Sequence, residues 1–423
     1  MNILVVGGGG REHALVKALK KSPRCTQLYC CPGNGGIAED AECVNIRATD
    51  LDTMLAFAVQ KQIDFAVVAP DDPLVMGMAD RLTEAGIRVF GPSQAAAVLE
   101  GSKAFAKDLM KKYGIPTARY EVFTEPEAAL AYIAAQKRFP VVVKADGLAL
   151  GKGVLIAGTA AEAESAVRSM LCDGAFGKSG STVVIEEFLT GPEVSVLAFT
   201  DGKTVRPMVS SMDHKRALDG DQGLNTGGMG TVAPNPYYTA DIAAQCMETI
   251  FLPTVRAMRA EGRPFKGCLY FGLMLTPDGP KVIEYNCRFG DPEAQVVLPL
   301  LETDLLTILE AVADERLEQV DIRWSDGAAV CVVLASGGYP QKYETGKVIA
   351  GCNRVGKDIL LYHAGTRRSE EGFVTAGGRV LGVAARGADL RQAVDAAYAA
   401  VDRIHFEGMQ FRRDIGQRAL QAN

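Results

Sequence analysis

The chain has 423 residues, 48% of them hydrophobic and 23% charged, with a formal net charge of -6. That length exceeds what a single compact core holds and predicts about three or four units. The mild acidic balance, with no stripe of Lys and Arg, argues against nucleic acid as the main partner, and no apolar run reaches the ~18 residues of a membrane span.

Met1-Asn2-Ile3-Leu4-Val5-Val6 runs straight into a strand pattern with no basic leader, so a cytoplasmic location is expected. The ten cysteines are scattered through apolar segments without a C-x-x-C pair, and read as reduced, buried thiols. Residues 2 to 91 alternate short apolar runs (Ile3 to Val6, Leu28 to Cys31, Phe65 to Ala69, Arg88 to Phe90) with helical patterns, the first from Arg11 to Lys21. This is the pattern of a βαβ parallel sheet, whose active edge lies beyond the strand C-termini. A helix from about Ser102 to Tyr113 stops at Gly114-Ile115-Pro116.

Residues 117 to 188 read as a small α/β unit with helices opened by capping boxes at Thr124/Glu127 and Thr159/Glu162, and strands at 141–144, 154–157 and 183–188. The pattern then becomes antiparallel: Val194 to Thr200 returns through Val205, and Leu273 to Thr276 turns at Pro277-Asp278-Gly279 into Val282 to Tyr285. A helix from Asp304 follows. From Gly327 a new strand, Ala328 to Ala335, opens a C-terminal unit that ends in an amphipathic helix from Asp389 to Ile404.

The strongest chemical signal is Glu284-Tyr285-Asn286-Cys287-Arg288. Alternation along a strand puts Glu284 and Asn286 on one face, roughly 6 to 7 Å apart. Two hard oxygens at that spacing suit Mg²⁺ shared with a nucleotide triphosphate, and the planar fork of Arg288 suits a carboxylate or phosphate beside it. Taken alone, the segment also reads as a half-buried strand whose polar residues pair with neighbours.

Gly7-Gly8-Gly9-Gly10-Arg11-Glu12-His13 follows the first strand, where backbone N–H groups and the helix dipole favour an anion. Glu12 stands where a dinucleotide fingerprint has its third glycine, and the second strand ends at Cys31-Pro32-Gly33-Asn34 with no acid for a ribose, so a phosphate monoester fits better than NAD. Lys144 ends a strand before the glycine-rich loop 145–153. The loop lacks the Walker order but carries a second lysine, Lys152, to neutralise a triphosphate. The strand edge at Glu186-Glu187-Phe188 offers backbone groups to an adenine, with Glu193 as ribose acceptor. Asp213-His214-Lys215-Arg216 and Asn225-Thr226-Gly227-Gly228 form an anion-binding loop pair, with His214 a weaker candidate for proton transfer.

In this order the motifs VVGGGGREHAL, CPGNGG, KADGLALGKGV, EEFLTGPEVSV, DHKRALDGDQGLNTGGMG and RFGDPEAQ resemble the ATP-grasp superfamily, and within it the phosphoribosylamine-glycine ligase (glycinamide ribonucleotide synthetase) family. The resemblance spans nearly the whole chain, with departures at Leu150, Leu224, Phe271 and Ala69-Pro70-Asp71-Asp72. It implies an ATP-grasp fold preceded by a Rossmann-like parallel α/β domain (1–101) and followed by a small α+β domain (326–423). Between them it implies a connecting helix (102–116), a lid (117–188) and a metal-bearing subdomain (189–325).

It further implies ATP contacts from Lys103, Lys144, Gly151, Lys152, Gly153, Glu186, Glu187, Phe188 and Glu193, and Mg²⁺ or Mn²⁺ on Glu284 and Asn286. Phosphoribosylamine and glycine contacts are implied for Gly8, Gly9, Arg11, Glu12, Gly33, Asn34, Asp213, His214, Lys215, Asn225, Thr226, Gly227, Arg288 and Asp291, with Arg288 and Lys144 catalytic. The implied reaction joins glycine to 5-phosphoribosylamine in purine biosynthesis through glycyl phosphate. It is run by a cytoplasmic monomer whose partners are small molecules, open to transient contact with neighbouring enzymes of the pathway. Many ATP-grasp enzymes draw a further carboxylate from the strand before the metal strand; Phe271 to Leu275 offers none. A different ATP-dependent ligase or carboxylase is the main rival, sharing the nucleotide site but not the pocket at Gly8 to Arg11.

Overall fold

The computed structural model describes residues 1–148, 153–173 and 180–422. Strand β1 (Asn2–Gly7) is apolar on both faces and buried from Ile3 to Val6, as a central parallel strand covered on both sides must be. It pairs in parallel with β2 (Gln27–Pro32) on one side and Phe65–Val68 on the other, in a five-stranded sheet completed by Glu42–Cys43 and Arg88–Phe90. The chain switches direction across the sheet at β1, which opens a crevice beyond its C-terminus. Helix α1 (Gly10–Lys20) starts there. Glu12 reaches back to accept the Gly9 N–H at 2.6 Å, so the helix begins one residue before the expected Arg11.

Helices α2 (Gln94–Gly101) and α3 (Lys103–Tyr113) meet at Ser102, whose hydroxyl accepts from Phe105 N–H and donates to Asp146. Gly114 ends α3 in the left-handed region at φ 67°. A small antiparallel sheet follows, in the order Tyr120–Phe123, β4 (Val183–Glu187), β3 (Val141–Ala145), Val154–Ala157. Its two helices pack on one face through Ala129, Ile133, Ala163 and Val167. Thr159 caps the second helix as the sequence predicts, but Thr124 caps nothing: the first helix starts at Pro126, whose ring pre-sets the first helical φ two residues on.

A second antiparallel sheet joins Val205–Pro207, β5 (Glu193–Asp201), β6 (Lys266–Thr276) and β7 (Gly279–Asn286). One face carries Val194, Val196, Leu269, Phe271, Leu273, Val282 and Tyr285 into a core with Ile250, Phe251, Val255 and Met258. Those last residues belong to a helical run over 240–260 that the sequence analysis did not resolve; it is opened by Thr239, whose hydroxyl accepts from Ile242 N–H. The period-two alternation leaves Ser195, Tyr270, Gly272, Glu284 and Asn286 for the other face.

The expected boundary at 326 is not a break in hydrogen bonding. Met212–Asp213 and Gly230–Ala233 pair into the same sheet as Ala328–Ala335, Arg379–Gly387 and Ile359–His363. Among the described residues no helix is long and apolar enough to cross a membrane. All ten cysteines are described and none is in a disulfide.

Candidate active site

Glu284 and Asn286 stand on β7 opposite Gly272 and Tyr270 of β6. A β-bulge leaves Ile283 unpaired, and its carbonyl accepts from Lys144 Nζ at 3.1 Å, tying the small sheet to β7. Burial disfavours the Glu284 carboxylate, but Lys215, Lys144, Lys103 and Arg288 outweigh it and hold its pKa below the ordinary carboxylate range. The partner position on β6 is a glycine, so β6 adds no second carboxylate. Among the described residues no cluster of three or more His, Cys, Asp or Glu can hold an ion. Two protein oxygens with the remaining positions open to phosphate and water are the donor set that Mg²⁺ tolerates and that Zn²⁺ does not favour. The departure at Phe271 is harmless to this face: its ring points the other way, 4.2 Å centroid to centroid from Phe251. Leu224 is half exposed. Leu150, Gly151 and Lys152 lie outside the described residues.

Facing the carboxylates is a set of buried lysines. Lys144 Nζ and Lys107 Nζ each lie 2.9 Å from the Glu186 carboxylate, and Lys107 donates to Thr117 Oγ1, which in turn donates to the Val282 carbonyl. Burial pulls the Lys107 ammonium down to about 8, against the pull of Glu186. The Glu186 side chain, expected at the adenine edge, is therefore committed to the lysines, and the Glu187 carboxylate is held by Arg119 through its backbone N–H and guanidinium. What the edge offers a base is the backbone and the exposed Phe188 ring. Gly153 is buried beside β3, where its carbonyl accepts from Ala145 N–H. Lys103 donates to the Gly147 carbonyl at 2.7 Å, its pKa lowered mainly by burial. Glu193 lies 3.3 Å from Lys215 Nζ, whose pKa Glu193 raises most, against burial.

Arg288 lies within 3.0 Å of Glu100 and 3.7 Å of Asp71, and donates to Asn286 Oδ1 and the Phe289 carbonyl. Neither acid was foreseen: Glu100 is a lone carboxylate in a helix, and Asp71 lies in the Ala69–Asp72 departure. Glu293 and Tyr270 were missed as well. The Glu293 carboxylate accepts from Tyr270 O–H, and burial raises its pKa, as burial and then Glu293 raise that of Asp213.

At the N-terminal loop the structure differs from expectation. Gly9 N–H is taken by Glu12, Arg11 Nε by Glu12 and Arg11 Nη1 by the Phe289 carbonyl. The Asp291 carboxylate sits at the first turn of α1, 3.5 Å from Arg11 N, and is also held by Gln295 and by Arg379 at 3.4 Å. Asn34 is saturated: its Nδ2 donates to the carbonyls of Gly8 and His363, and its Oδ1 accepts from Gly36 and Ile37 N–H. A side chain on Gly8 would strike the Gly33 carbonyl, which explains the pairing of the two glycine loops.

His13 Nδ1 accepts from His363 N–H at 2.8 Å, which leaves Nε2–H for Asp40, so the ring is a neutral clamp between α1 and the C-terminal sheet. His214 is likewise spent. Its Nε2 accepts from Gly416 N–H, its Nδ1–H faces the Gly230 carbonyl, and burial with Arg412 nearby pulls it down to about 4. The weaker candidate for proton transfer is a hydrogen-bonding brace of its own loop. In the partner loop Thr226 bonds Lys215, and Gly227 bonds Tyr339 and Arg379, while Asn225 is exposed.

Lys144 of a small sheet and Lys103 and Lys107 of the helix before it, facing a carboxylate and an amide on a second sheet, define an ATP-grasp enzyme, and the ATP-grasp (A) domain model of phosphoribosylglycinamide synthetase matches residues 101–294. The N and C domain models of the same protein match residues 1–100 and 329–418. The chain is 51% identical to the phosphoribosylamine–glycine ligase of Allochromatium vinosum over 99% of both chains, and 49% identical to that of Halalkalibacterium halodurans over 99% of this chain and 97% of that one. The crystal structure of the Thermotoga maritima ligase superposes with a TM-score of 0.87 at 34% identity, covering 98% of this chain and 100% of that one. The chain belongs to the phosphoribosylglycinamide synthetase, or phosphoribosylamine–glycine ligase, family.

Proposed function

We propose that this chain joins glycine to 5-phosphoribosylamine at the expense of ATP, in the cytoplasm and as a monomer. The observation that carries the reading is the placement of Glu284, Asn286 and Arg288 on one strand end, facing Lys144 and Lys103. A free carboxylate is a poor acylating agent because oxide leaves badly. Phosphorylation supplies the leaving group.

In the proposed sequence a glycine carboxylate oxygen attacks the γ-phosphorus of ATP, the bond to the β-bridging oxygen breaks, and ADP departs with its electron pair. The amine nitrogen of phosphoribosylamine then attacks the acyl carbon, the carbon–oxygen bond to phosphate breaks, and the amine loses one proton. Lys144 and Lys103 neutralise phosphate oxygens, the backbone at Glu187 and Phe188 holds the base, and Glu193 accepts from the ribose. Glu284 and Asn286 would hold Mg²⁺ or Mn²⁺, which supplies charge neutralisation at the transferring phosphoryl. Arg288 orients the glycine carboxylate and stabilises charge on the tetrahedral adduct.

The phosphoribosyl group is assigned to the crevice beyond β1, between the 7–12 loop and the 213–230 loops. Because most loop donors there are already bonded, backbone at Gly8 and the remaining Arg11 N–H groups are the proposed contacts, with Asp291 displaced or shared. The reaction is tested by phosphate release with each substrate omitted in turn. Release that persists without phosphoribosylamine or glycine would favour another ATP-dependent ligase.

A further inference from the structure

We infer that Glu100 is a positioning residue for the glycine substrate: it locks Arg288 so that the Nε–H edge of its guanidinium faces the substrate carboxylate. The inference rests on the assignment of Arg288 to glycine made above. Glu100 lies at the end of α2, only 8% exposed, and both its oxygens are engaged on the Arg288 segment. Oε2 accepts from Cys287 N–H at 2.6 Å, and Oε1 lies 3.0 Å from Arg288 Nη2. One carboxylate thus fixes the backbone just before Arg288 and the tip of its side chain.

Two further contacts hold the fork. Nη2 donates to Asn286 Oδ1 at 3.2 Å, and Nη1 donates to the Phe289 carbonyl at 3.3 Å. Nε is buried and has no acceptor among the described residues. A buried donor without a partner is uncommon and calls for an explanation. Here it is the one guanidinium nitrogen with no acceptor among the described residues, a second Nη1–H being the other unassigned donor, and a carboxylate is the acceptor that a guanidinium matches best. Rotation about the side-chain torsions would spread that donor over many directions, and Glu100 removes the rotation before glycine arrives. The helix that carries Glu100 leads through Gly101 and Ser102 to Lys103, so one junction sets both the glycine orienter and a nucleotide lysine.

The test is steady-state kinetics on the full chain with all three substrates varied. Glu100→Gln keeps shape and the bond to Cys287 but places an amide against the guanidinium. It is expected to raise the KM for glycine about tenfold or more, while the KM values for ATP and phosphoribosylamine stay within about twofold. Glu100→Asp, which keeps the charge, is expected to fall between, and decides the matter if Glu100→Gln does not fold.

Arg288→Lys is expected to raise the glycine KM, and the double variant Glu100→Gln/Arg288→Lys to be no worse than Arg288→Lys alone, because Glu100 acts through Arg288. An unchanged glycine KM in both Glu100 variants, losses that add in the double variant, or a parallel rise of all three KM values with a lowered Tm would overturn the inference and leave Glu100 a brace. An unchanged glycine KM in Arg288→Lys would overturn the assignment of Arg288 itself, and this inference with it.

Discussion

Strand β7 and the N-terminal glycine loop both read as ligand sites in sequence, yet they are built on opposite plans. On the strand, among the described residues, Glu284 has only one long contact, 3.8 Å to Lys215, and Arg288 Nε has none. At the loop, Gly9, Arg11 and Asn34 spend their donors on Glu12, Phe289, Gly8 and His363, and a protein carboxylate already sits at the helix N-terminus. Polar residues beside glycines therefore mark two things. Groups left over after folding are the ones proposed to bind ligand, and groups consumed by folding would shape the cavity around it.

That contrast is most exposed at Glu284. Glu284→Ala is expected to lose ~10³-fold or more in kcat/KM with no loss of Tm, since it removes charge stabilisation of the transferring phosphoryl but no folding contact. An unaltered divalent-ion requirement would break the comparison. On the opposite face of the same sheet, Phe271→Ala is expected to cost about 3 to 5 kcal/mol in denaturant unfolding by emptying the core against Phe251 and Tyr285. The KM for ATP in the folded enzyme is expected to stay unchanged.

A third measurement addresses His214. Its folded pKa, about 4, lies below the ordinary value of 6.5, so the native chain binds fewer protons than the unfolded chain between those values and loses stability as pH falls through the window. Measured as the difference from His214→Gln, which cancels the opposing contributions of the raised carboxylates Asp213, Glu293 and Glu100, the loss from pH 7 to 4 is expected to be about 3 kcal/mol. A flat difference would overturn the reading of His214 as a buried neutral brace.

The smallest effect is at His13. Asparagine places an acceptor near the Nδ1 position, glutamine near Nε2. His13→Asn is expected to keep the bond from His363 N–H and a near-normal KM for phosphoribosylamine. His13→Gln is expected to raise that KM roughly fivefold, about 1 kcal/mol for one hydrogen bond.

The fold was legible where periodicity and turns speak locally. Gly114, Thr159 and the Asp278-Gly279 hairpin behave as their types predict, and the Glu284/Asn286 alternation survives even though a bulge at Ile283 precedes it. What escaped were partnerships across long separations. Nothing near Glu100 announces Arg288, nothing near Asn34 announces His363, and no local rule tells a histidine that bonds two backbones from one that moves protons. The error at Thr124 was of another kind, a cap signal overruled by Pro126.

The sheet that takes Met212–Asp213 and Gly230–Ala233 together with strands from beyond residue 326 makes the last hundred or so residues a tenant of the middle of the chain. Cutting the polypeptide near that point would not release two self-sufficient halves. Each fragment would carry a bare row of amide and carbonyl groups along a hydrophobic ribbon, the kind of edge that invites self-association. The loop bearing Asp213 and Lys215 would lose its anchor in the same stroke, so circular permutation or fusion at this junction is a poorer engineering choice than its position between matched domain models suggests.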